Sequence, residues 1–329
     1  MDRLVTIFGG SGSVGGAVVR ALARDGWRLR VGMRRPHLGY KLRLLGNVGQ
    51  IELVQANVRD RNSVAAALDG AQAAVNLVGV LYEKGGQGFE NLHTKAAGMV
   101  ARIAAERGVD RFIQMSALGA AAKSRSLYAR SKAGGEAAVR QAMPGAVVMR
   151  PSVVFGPEDA FFNRFAAMAG TAPALPLVGG GRTRFQPVYV GDVARAVAIA
   201  LDQPETSGET FELGGPNIYT FRELMELMLR EIGRRKPLVP LPFNVAGMIG
   251  KMGDLQAKML PIAPPLTTDQ IALLRSDNVV SGSLPGLNEL GIAPTAVEAV
   301  VPSYLWRYRK GGQFADITPQ GFISHRQHG

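Results

Sequence analysis

The sequence predicts an α/β fold, built on a doubly wound parallel sheet with a smaller C-terminal subdomain. Up to residue 150, short apolar runs alternate with segments of helical spacing, which is typical of a parallel sheet covered by helices. A glycine run directly follows the first apolar run. After Arg150-Pro151 the alternation gives way to frequent glycine and proline. We therefore expect residues 1–155 to form the main sheet domain, 156–303 to complete the sheet and add the subdomain, and 304–329 to form a basic tail.

Each predicted strand is a short run rich in apolar residues, and each predicted helix has apolar residues at helical spacing. The predicted strands cover residues 5–8, 29–33, 51–55, 74–78, 112–115, 146–149, 185–190 and 210–213. The predicted helices cover residues 17–23, 63–68, 96–107, 128–141 and 192–201. A further helix is predicted to begin near Thr220, because Thr220-Phe221-Arg222-Glu223 has the pattern of a capping box.

Strand, glycine turn and helix follow one another over residues 5–23, and in this context a Gly-x-x-Gly-x-x-Gly motif indicates a dinucleotide site of the Rossmann type. Gly9 permits the tight turn, Gly12 lets a pyrophosphate approach the backbone, and Gly15 lets the helix pack closely on the strand. The free N–H groups of the first helical turn then face the phosphates. The alternative is a tight turn without a ligand. The predicted phosphate-binding residues are Gly9, Ser11, Gly12, Ser13, Val14 and Gly15.

Two arginines follow the second predicted strand, where an acidic residue would bind the ribose hydroxyls of NAD(H). Because guanidinium pairs bidentately with phosphate, Arg34 and Arg35 favour NADP(H) over NAD(H); the alternative is that they only face solvent. Asn57, after the third strand, is placed to hold the adenine edge. Gly79, after the fourth, lets the backbone pass close to the cofactor. The further residues that we expect to line the cofactor are Val58 and Pro151.

A Tyr-x-x-x-Lys pair, Tyr128 and Lys132, lies in a predicted helix, where residues four apart share a face. A lysine beside a phenol favours the phenolate, so Tyr128 is a candidate general acid/base and Lys132 is a candidate to tune it and to bind the nicotinamide ribose. Ser116, at the end of the fifth strand, is a candidate to polarise a substrate carbonyl. Such a pair also occurs by chance. We predict these three residues as both catalytic and cofactor-binding, and we predict no metal site.

The composition restricts the classes of partner and site. The 329 residues carry 38 basic and 26 acidic side chains, a net charge of +12, and no cysteine. The lack of cysteine removes disulfides and thiolate sites and fits a reducing compartment. Basic clusters such as Arg234-Arg235-Lys236 lack interleaved aromatic residues, so a solvated surface is favoured over nucleic-acid binding. We expect no signal peptide and no membrane span, and hence a soluble or peripheral protein.

An amphipathic stretch, bracketed by prolines, covers residues 237–265. Its large apolar residues share one helical face: Val245, Met248, Ile249, Met252, Leu255 and Met259. The pattern favours a helix packed on the protein's own core; the alternatives are a lid or a face for a protein or membrane partner. In the predicted tail, aromatic residues at 304, 306 and 308 alternate with Arg307 and Arg309, which suits an interface or a bilayer surface. The alternative is a solvated terminus, which is favoured after Gly311.

Taken in order, these motifs resemble the short-chain dehydrogenase/reductase superfamily and, more specifically, the NADPH-binding accessory subunits of respiratory complex I. The closer resemblance is carried by Ser116-Ala117-Leu118, Tyr128-x-Arg130-x-Lys132-Ala133-x-Gly135-Glu136, Pro151-Ser152-x-x-Phe155-Gly156-Pro157-Glu158-Asp159, Gln186-Pro187-Val188-Tyr189-Val190 and Leu284-Pro285-Gly286-Leu287. It implies a subunit that holds its nucleotide tightly in a structural role while keeping the Tyr-x-x-x-Lys pair. Two features depart from the pattern: only eleven residues separate Ser116 from Tyr128, and His93 stands near where many relatives carry asparagine.

Three functions remain open from the sequence. The first, implied by the resemblance, is an accessory subunit of NADH:ubiquinone oxidoreductase that holds NADP(H) without catalysis. Its partners would be other complex I subunits, at the cytoplasmic side of a bacterial inner membrane, with peripheral lipid contact and no nucleic acid. The second is a free NADP-dependent reductase or isomerase that acts on a quinone precursor or another apolar substrate. The third is a regulator that senses NADP(H).

Overall fold

The structure, a computed structural model, describes residues 3–259, 264 and 266–312. The strands are β1 (Leu4–Phe8), β2 (Arg28–Met33), β3 (Ile51–Gln55), β4 (Ala73–Asn76), β5 (Arg111–Met115), β6 (Val147–Pro151), β7 (Val154–Phe155), β8 (Leu175–Val178), β9 (Arg184–Phe185), β10 (Val188–Tyr189), β11 (Thr210–Leu213), β12 (Tyr219–Thr220) and β13 (Leu238–Leu241). The α-helices are α1 (Ser13–Arg24), α2 (Tyr40–Arg43), α3 (Arg61–Leu68), α4 (Ala96–Glu106), α5 (Leu127–Ala142), α6 (Phe162–Thr171), α7 (Val190–Asp202), α8 (Phe221–Glu231), α9 (Phe243–Met259), α10 (Thr268–Leu273), α11 (Val297–Val300) and α12 (Pro302–Leu305). A π-helical segment, Glu90–Lys95, runs directly into α4.

Seven parallel strands form the main sheet in the order β3-β2-β1-β4-β5-β6-β11. The strand order reverses between β1 and β4, so a crevice forms beyond the carboxyl ends of these two strands. One face of the sheet packs against α1 and α7, and the other packs against α3 and α4. Val5, Ile7 and Val31 are fully buried because both faces are covered. The predicted doubly wound parallel sheet is therefore confirmed.

All but one of the predicted strands lie within two residues of an observed strand. The exception is the strand predicted over residues 185–190, which the structure divides into β9 and β10. β9 pairs with β12 and β10 pairs with β7, so the chain changes partner at Gln186 and Pro187. Proline has no N–H to donate to a ladder, which explains the break. Of the helices, α1 begins at Ser13, four residues before the predicted start.

A second core lies beside the sheet and is rich in aromatic side chains. Phe155, Phe162 and Phe221 are buried in it, and they come from chain segments on both sides of β11. Tyr304 is also buried there, and its Oη donates to Asp159 Oδ2 at 2.6 Å. The prediction of a tail from residue 304 onward is therefore wrong for Tyr304 and Leu305, because both belong to this core. The division of the chain at residues 155 and 156 stays a prediction.

The basic residues that follow Tyr304 also bond within the chain. Arg307 Nη2 donates to the carbonyl oxygen of Pro157 at 2.9 Å, and Arg309 Nε donates to that of Glu231 at 2.7 Å. The aromatic and basic residues between positions 304 and 309 therefore pack on and bond to the second core, and they do not form a separate surface. The remainder of the predicted tail, residues 313–329, lies outside the described residues.

Helix α9 lies with its large apolar residues facing outward. Val245, Met248, Ile249, Met252, Leu255 and Met259 are all exposed, by 38 to 73%. The buried stripe instead carries Ala246, Gly250, Gly253 and Ala257. The prediction that the large apolar face packs on the core is wrong, because small residues allow a closer approach of α9 to the segment before α10. Residues 260–263 and 265 of the amphipathic stretch lie outside the described residues.

None of the described helices has the length and apolar character needed to cross a bilayer.

The orientation of α9 predicts opposite effects for two glycine substitutions in the same helix. A Cβ on Gly253 would lie 1.9 Å from the carbonyl oxygen of Leu266, whereas a Cβ on Gly247 would meet nothing within 4 Å. We expect Gly253→Ala to lower the free energy of unfolding by about 1–3 kcal/mol through overpacking. We expect Gly247→Ala to raise it by about 0.5–1 kcal/mol through helix propensity. Urea unfolding and amide hydrogen exchange of α9 measure both, and equal exchange in the two variants would contradict the packing described.

Candidate functional site

The loop between β1 and α1 leaves an open cradle at the start of the helix. Gly9 has a φ of +84°, and the N–H of Gly12 donates to its carbonyl oxygen at 3.1 Å. A Cβ on Gly15 would lie 2.3 Å from that same oxygen, whereas Gly12 is exposed and has room for a neighbour. No side chain of the described chain caps α1. The free amides of its first turn therefore fit the pyrophosphate of a dinucleotide.

The predicted adenosine-side residues follow β2 and β3, which are adjacent strands. Arg34 and Arg35 are both exposed beyond the end of β2. Asn57 Oδ1 accepts a hydrogen bond from the N–H of Arg59 at 3.2 Å, which fixes the turn after β3 and leaves Nδ2 as the donor of that side chain. Beside it, Val58 is half-buried. The guanidiniums are available to an anionic group, but the choice between NADP(H) and NAD(H) stays a prediction.

The structure brings Gly79, Tyr128 and Lys132 together at the carboxyl edge of the sheet. Lys132 Nζ lies 5.8 Å from the centre of the Tyr128 ring. It donates to the carbonyl oxygen of Met115 at 3.2 Å, and a Cβ on Gly79 would lie 3.3 Å from it. The carbonyl of Pro151, at the end of β6, accepts from the N–H of Leu118 at 2.9 Å and so belongs to the same edge. Residues that are far apart in the sequence motifs therefore lie together at one edge of the sheet.

Ser116 does not point its hydroxyl toward Tyr128. Its Oγ donates to Glu136 Oε1, and both residues are buried. Arg150 closes the cluster by donating to both Glu136 oxygens, at 2.9 and 2.6 Å. The expected role of Ser116 in polarising a carbonyl is therefore not visible in this arrangement. Glu136 was missed as a site residue, although its position four residues after Lys132 on α5 places it on the same face.

The surroundings of Tyr128 favour its neutral form. Burial and, to a lesser degree, the carboxylate of Asp269 raise its pKa to about 12. Burial lowers the pKa of Lys132 to about 8, and Glu136 partly opposes this. Burial thus outweighs the effect expected of Lys132 on the phenolate, because desolvation penalises the charged form of both groups. A neutral phenol can donate a proton but does not act as a base near neutral pH.

His93 forms a buried link between the cofactor-side loop and α5. Its Nε2 accepts from the N–H of Val80 at 3.0 Å, and its Nδ1 lies 2.9 Å from Ser131 Oγ. Because Ser131 Oγ donates to the carbonyl of Tyr128 at 2.8 Å, His93 must donate through Nδ1. Burial and the nearby Lys132 lower the pKa of His93 to about 3, which agrees with a neutral ring. Phe89 stacks on this ring, and the Tyr128 ring meets it edge-on at 5.4 Å.

A carboxylate from α10 holds the first turn of α5, which carries Tyr128. Asp269 accepts from Ser126 Oγ at 2.8 Å and from the N–H groups of Leu127 and Tyr128 at 2.5 and 3.2 Å. Such a carboxylate satisfies amides that have no partner inside the helix. Asp269 lies 141 positions beyond Tyr128, and no local sequence pattern predicts this contact.

The contact of Asp269 predicts a measurable change in the ionisation of Tyr128. Replacing Asp269 by Asn removes the negative charge that favours the neutral phenol, so the pKa of Tyr128 should fall below about 12 but stay above its ordinary value, because burial remains. Ultraviolet difference titration of phenolate formation, with Tyr128→Phe subtracted, measures this shift. Asp254→Asn serves as the control. It removes a carboxylate that accepts from Thr268 and has no bond to α5 among the described contacts, so it should leave the titration of Tyr128 unchanged. An equal shift in both variants would refute the assignment.

Comparison with known proteins agrees with this geometry. The NAD dependent epimerase/dehydratase family matches residues 5–214. Subunit 9 of the alpha subcomplex of mitochondrial NADH dehydrogenase (ubiquinone) 1, from Arabidopsis thaliana, is 36% identical over 316 residues, which are 94% of this chain and 79% of that protein. A ceramide reductase from Caulobacter vibrioides is 30% identical over 239 residues, which are 73% of this chain and 74% of that protein.

Among solved structures, DesIV from Streptomyces venezuelae, a dTDP-glucose 4,6-dehydratase with NAD and TYD bound, has a TM-score of 0.68. It is 19% identical, and the match covers 96% of this chain and 100% of that one, so it shows a shared fold. The matched family, the parallel sheet and the glycine loop lead to one conclusion. This chain belongs to the NAD dependent epimerase/dehydratase family.

Proposed function

We propose that this chain is an accessory subunit of NADH:ubiquinone oxidoreductase that holds NADP(H) without turnover. The observation that carries the proposal is the 36% identity with a complex I subunit over 94% of the chain. Its partners are then other complex I subunits, and its place is peripheral, on the cytoplasmic side of a bacterial inner membrane in contact with lipid. Nucleic acid is not a partner in this proposal.

The arrangement of the site supports a structural role for the nucleotide. The amides at the start of α1 would hold the pyrophosphate, Arg34 and Arg35 would bind the 2′-phosphate, and Lys132 would bind the nicotinamide ribose. The bound nicotinamide would supply a hydride donor or acceptor. Against turnover, Ser116 donates to Glu136, and Tyr128 has its pKa raised to about 12. Ser116 is thus bonded within the chain, and a phenol that stays neutral near neutral pH can donate a proton but does not accept one.

Purification of complex I from the native membrane in mild detergent tests the subunit role. We expect this chain to co-migrate with NADH:ubiquinone oxidoreductase activity and to retain its nucleotide through dialysis. Tyr128→Phe should assemble and retain nucleotide as the unchanged chain does. If the chain is absent from the purified complex, the subunit role is refuted.

A free reductase acting on an apolar substrate is the second candidate. The Tyr128–Lys132 pair beside Gly79 favours it, as does the similarity to a ceramide reductase over 73% of the chain. In this role Tyr128 donates a proton to the reduced carbonyl and Lys132 orients the nucleotide. The two candidates differ in one outcome: Tyr128→Phe abolishes a cellular reduction if the chain is a reductase and leaves the cell unaffected if it is a structural subunit.

The two arginines after β2 predict a selective loss of one nucleotide. Replacing both Arg34 and Arg35 by serine removes charge-assisted hydrogen bonds to a 2′-phosphate and should weaken NADPH binding by about 10- to 100-fold. NADH binding should change by no more than about twofold, since NADH lacks that phosphate. Replacing both Arg20 and Arg24, exposed on α1, removes the same charge and serves as the control. Equal weakening for both nucleotides, measured by fluorescence titration, would exclude the assignment.

A further inference from the structure

Helix α9 presents a continuous apolar surface that the described chain leaves exposed. Met252 and Met259 are each 73% exposed, Met248 is 63% and Leu255 is 58%. At 100° per residue these positions fall within one face, while the buried alanines and glycines fall on another. A helix that buries its small residues and exposes its large ones retains a strong driving force for covering that face.

A basic cavity of about 640 Å³ lies on the same part of the chain, just before β13. The charged groups that line it are Arg222, Glu226, Arg230, Arg234, Arg235 and Lys236. Five cations thus meet one carboxylate, and Arg222 is paired with that carboxylate only loosely, at 3.8 Å. Arg230 and Arg235 are exposed. An anionic group is the chemical complement of this cavity.

The cavity lies close to the start of α9. A second cavity, of about 380 Å³, shares Arg222 with the first and is bordered by Gly180 and Pro240. The next glycine, Gly179, lies against the ring of Phe243, the first residue of α9. Val239 of β13, which precedes Pro240 in the chain, is exposed. Basic groups and exposed apolar side chains therefore follow one another closely along this part of the chain.

We propose that this surface docks on a bilayer of anionic phospholipid. Helix α9, about 25 Å long, would lie in the plane of the interface with its methionine and leucine side chains among the acyl chains. The phosphodiester headgroups would meet the arginines of the cavity. Six basic and two acidic residues between positions 230 and 258 supply the attraction. This charge excess beside an apolar helix favours lipid over a protein groove.

The inference deepens the peripheral placement in the proposed function, and its vesicle assay uses neither complex I nor nucleotide. The full chain is floated with vesicles of phosphatidylcholine alone and with vesicles of equal parts phosphatidylcholine and phosphatidylglycerol. We expect binding to the anionic vesicles that weakens as salt rises. Replacing both Met252 and Leu255 by glutamine should weaken it at least about tenfold. Replacing both Leu44 and Val48, exposed elsewhere, removes similar apolar surface and should leave binding unchanged.

A charge variant tests the headgroup contact separately. Replacing both Arg230 and Arg235 by glutamine should reduce the preference for anionic vesicles about tenfold. Replacing both Arg20 and Arg24 removes the same net charge and should have a much smaller effect. The proposal is overturned if the chain ignores anionic vesicles or if the α9 variant binds them like the unchanged chain. It is also overturned if that variant binds vesicles normally but no longer co-purifies with a respiratory complex, which would identify α9 as a protein interface.

Discussion

Burial of the main sheet on both faces is the constraint on which the rest of the structure depends. Parallel strands covered by helices must all end at one edge, so loops that are far apart in sequence meet there. The glycine loop after β1, the arginines after β2, Gly79 after β4 and Ser116 after β5 share that edge for this reason. The same burial requires each charged group that is buried near the edge to find a partner or to lose its charge.

The groups around Tyr128 show how this requirement is met. Glu136 accepts from Ser116 and twice from Arg150, which neutralises a buried carboxylate with directed hydrogen bonds. His93 stays neutral because one nitrogen accepts a backbone N–H and the other serves Ser131. These contacts hold α5 against the cofactor-side loop without placing a base beside the phenol.

Sequence patterns predicted the features that depend on neighbouring residues. They did not predict the features that depend on contacts between distant parts of the chain. Alternation and glycine spacing located the parallel strands and the loop after β1, because period and turn geometry are local properties. The hydrogen bonds of Asp269 to α5 join segments far apart in the chain, and no nearby sequence pattern predicts them. The orientation of α9 was reversed because hydrophobicity ranks methionine above glycine, whereas close packing against Leu266 requires glycine at 253.

The exposed helix and the candidate site are joined by consecutive hydrogen bonds. Asp254 of α9 accepts from the N–H and hydroxyl of Thr268, the first residue of α10. The next residue, Asp269, accepts from the first turn of α5, where Tyr128 lies. A short helix with carboxylate contacts at its start therefore lies between α9 and the first turn of α5. Since both sets of bonds involve the first two residues of α10, this short helix connects α9 with the helix that carries Tyr128.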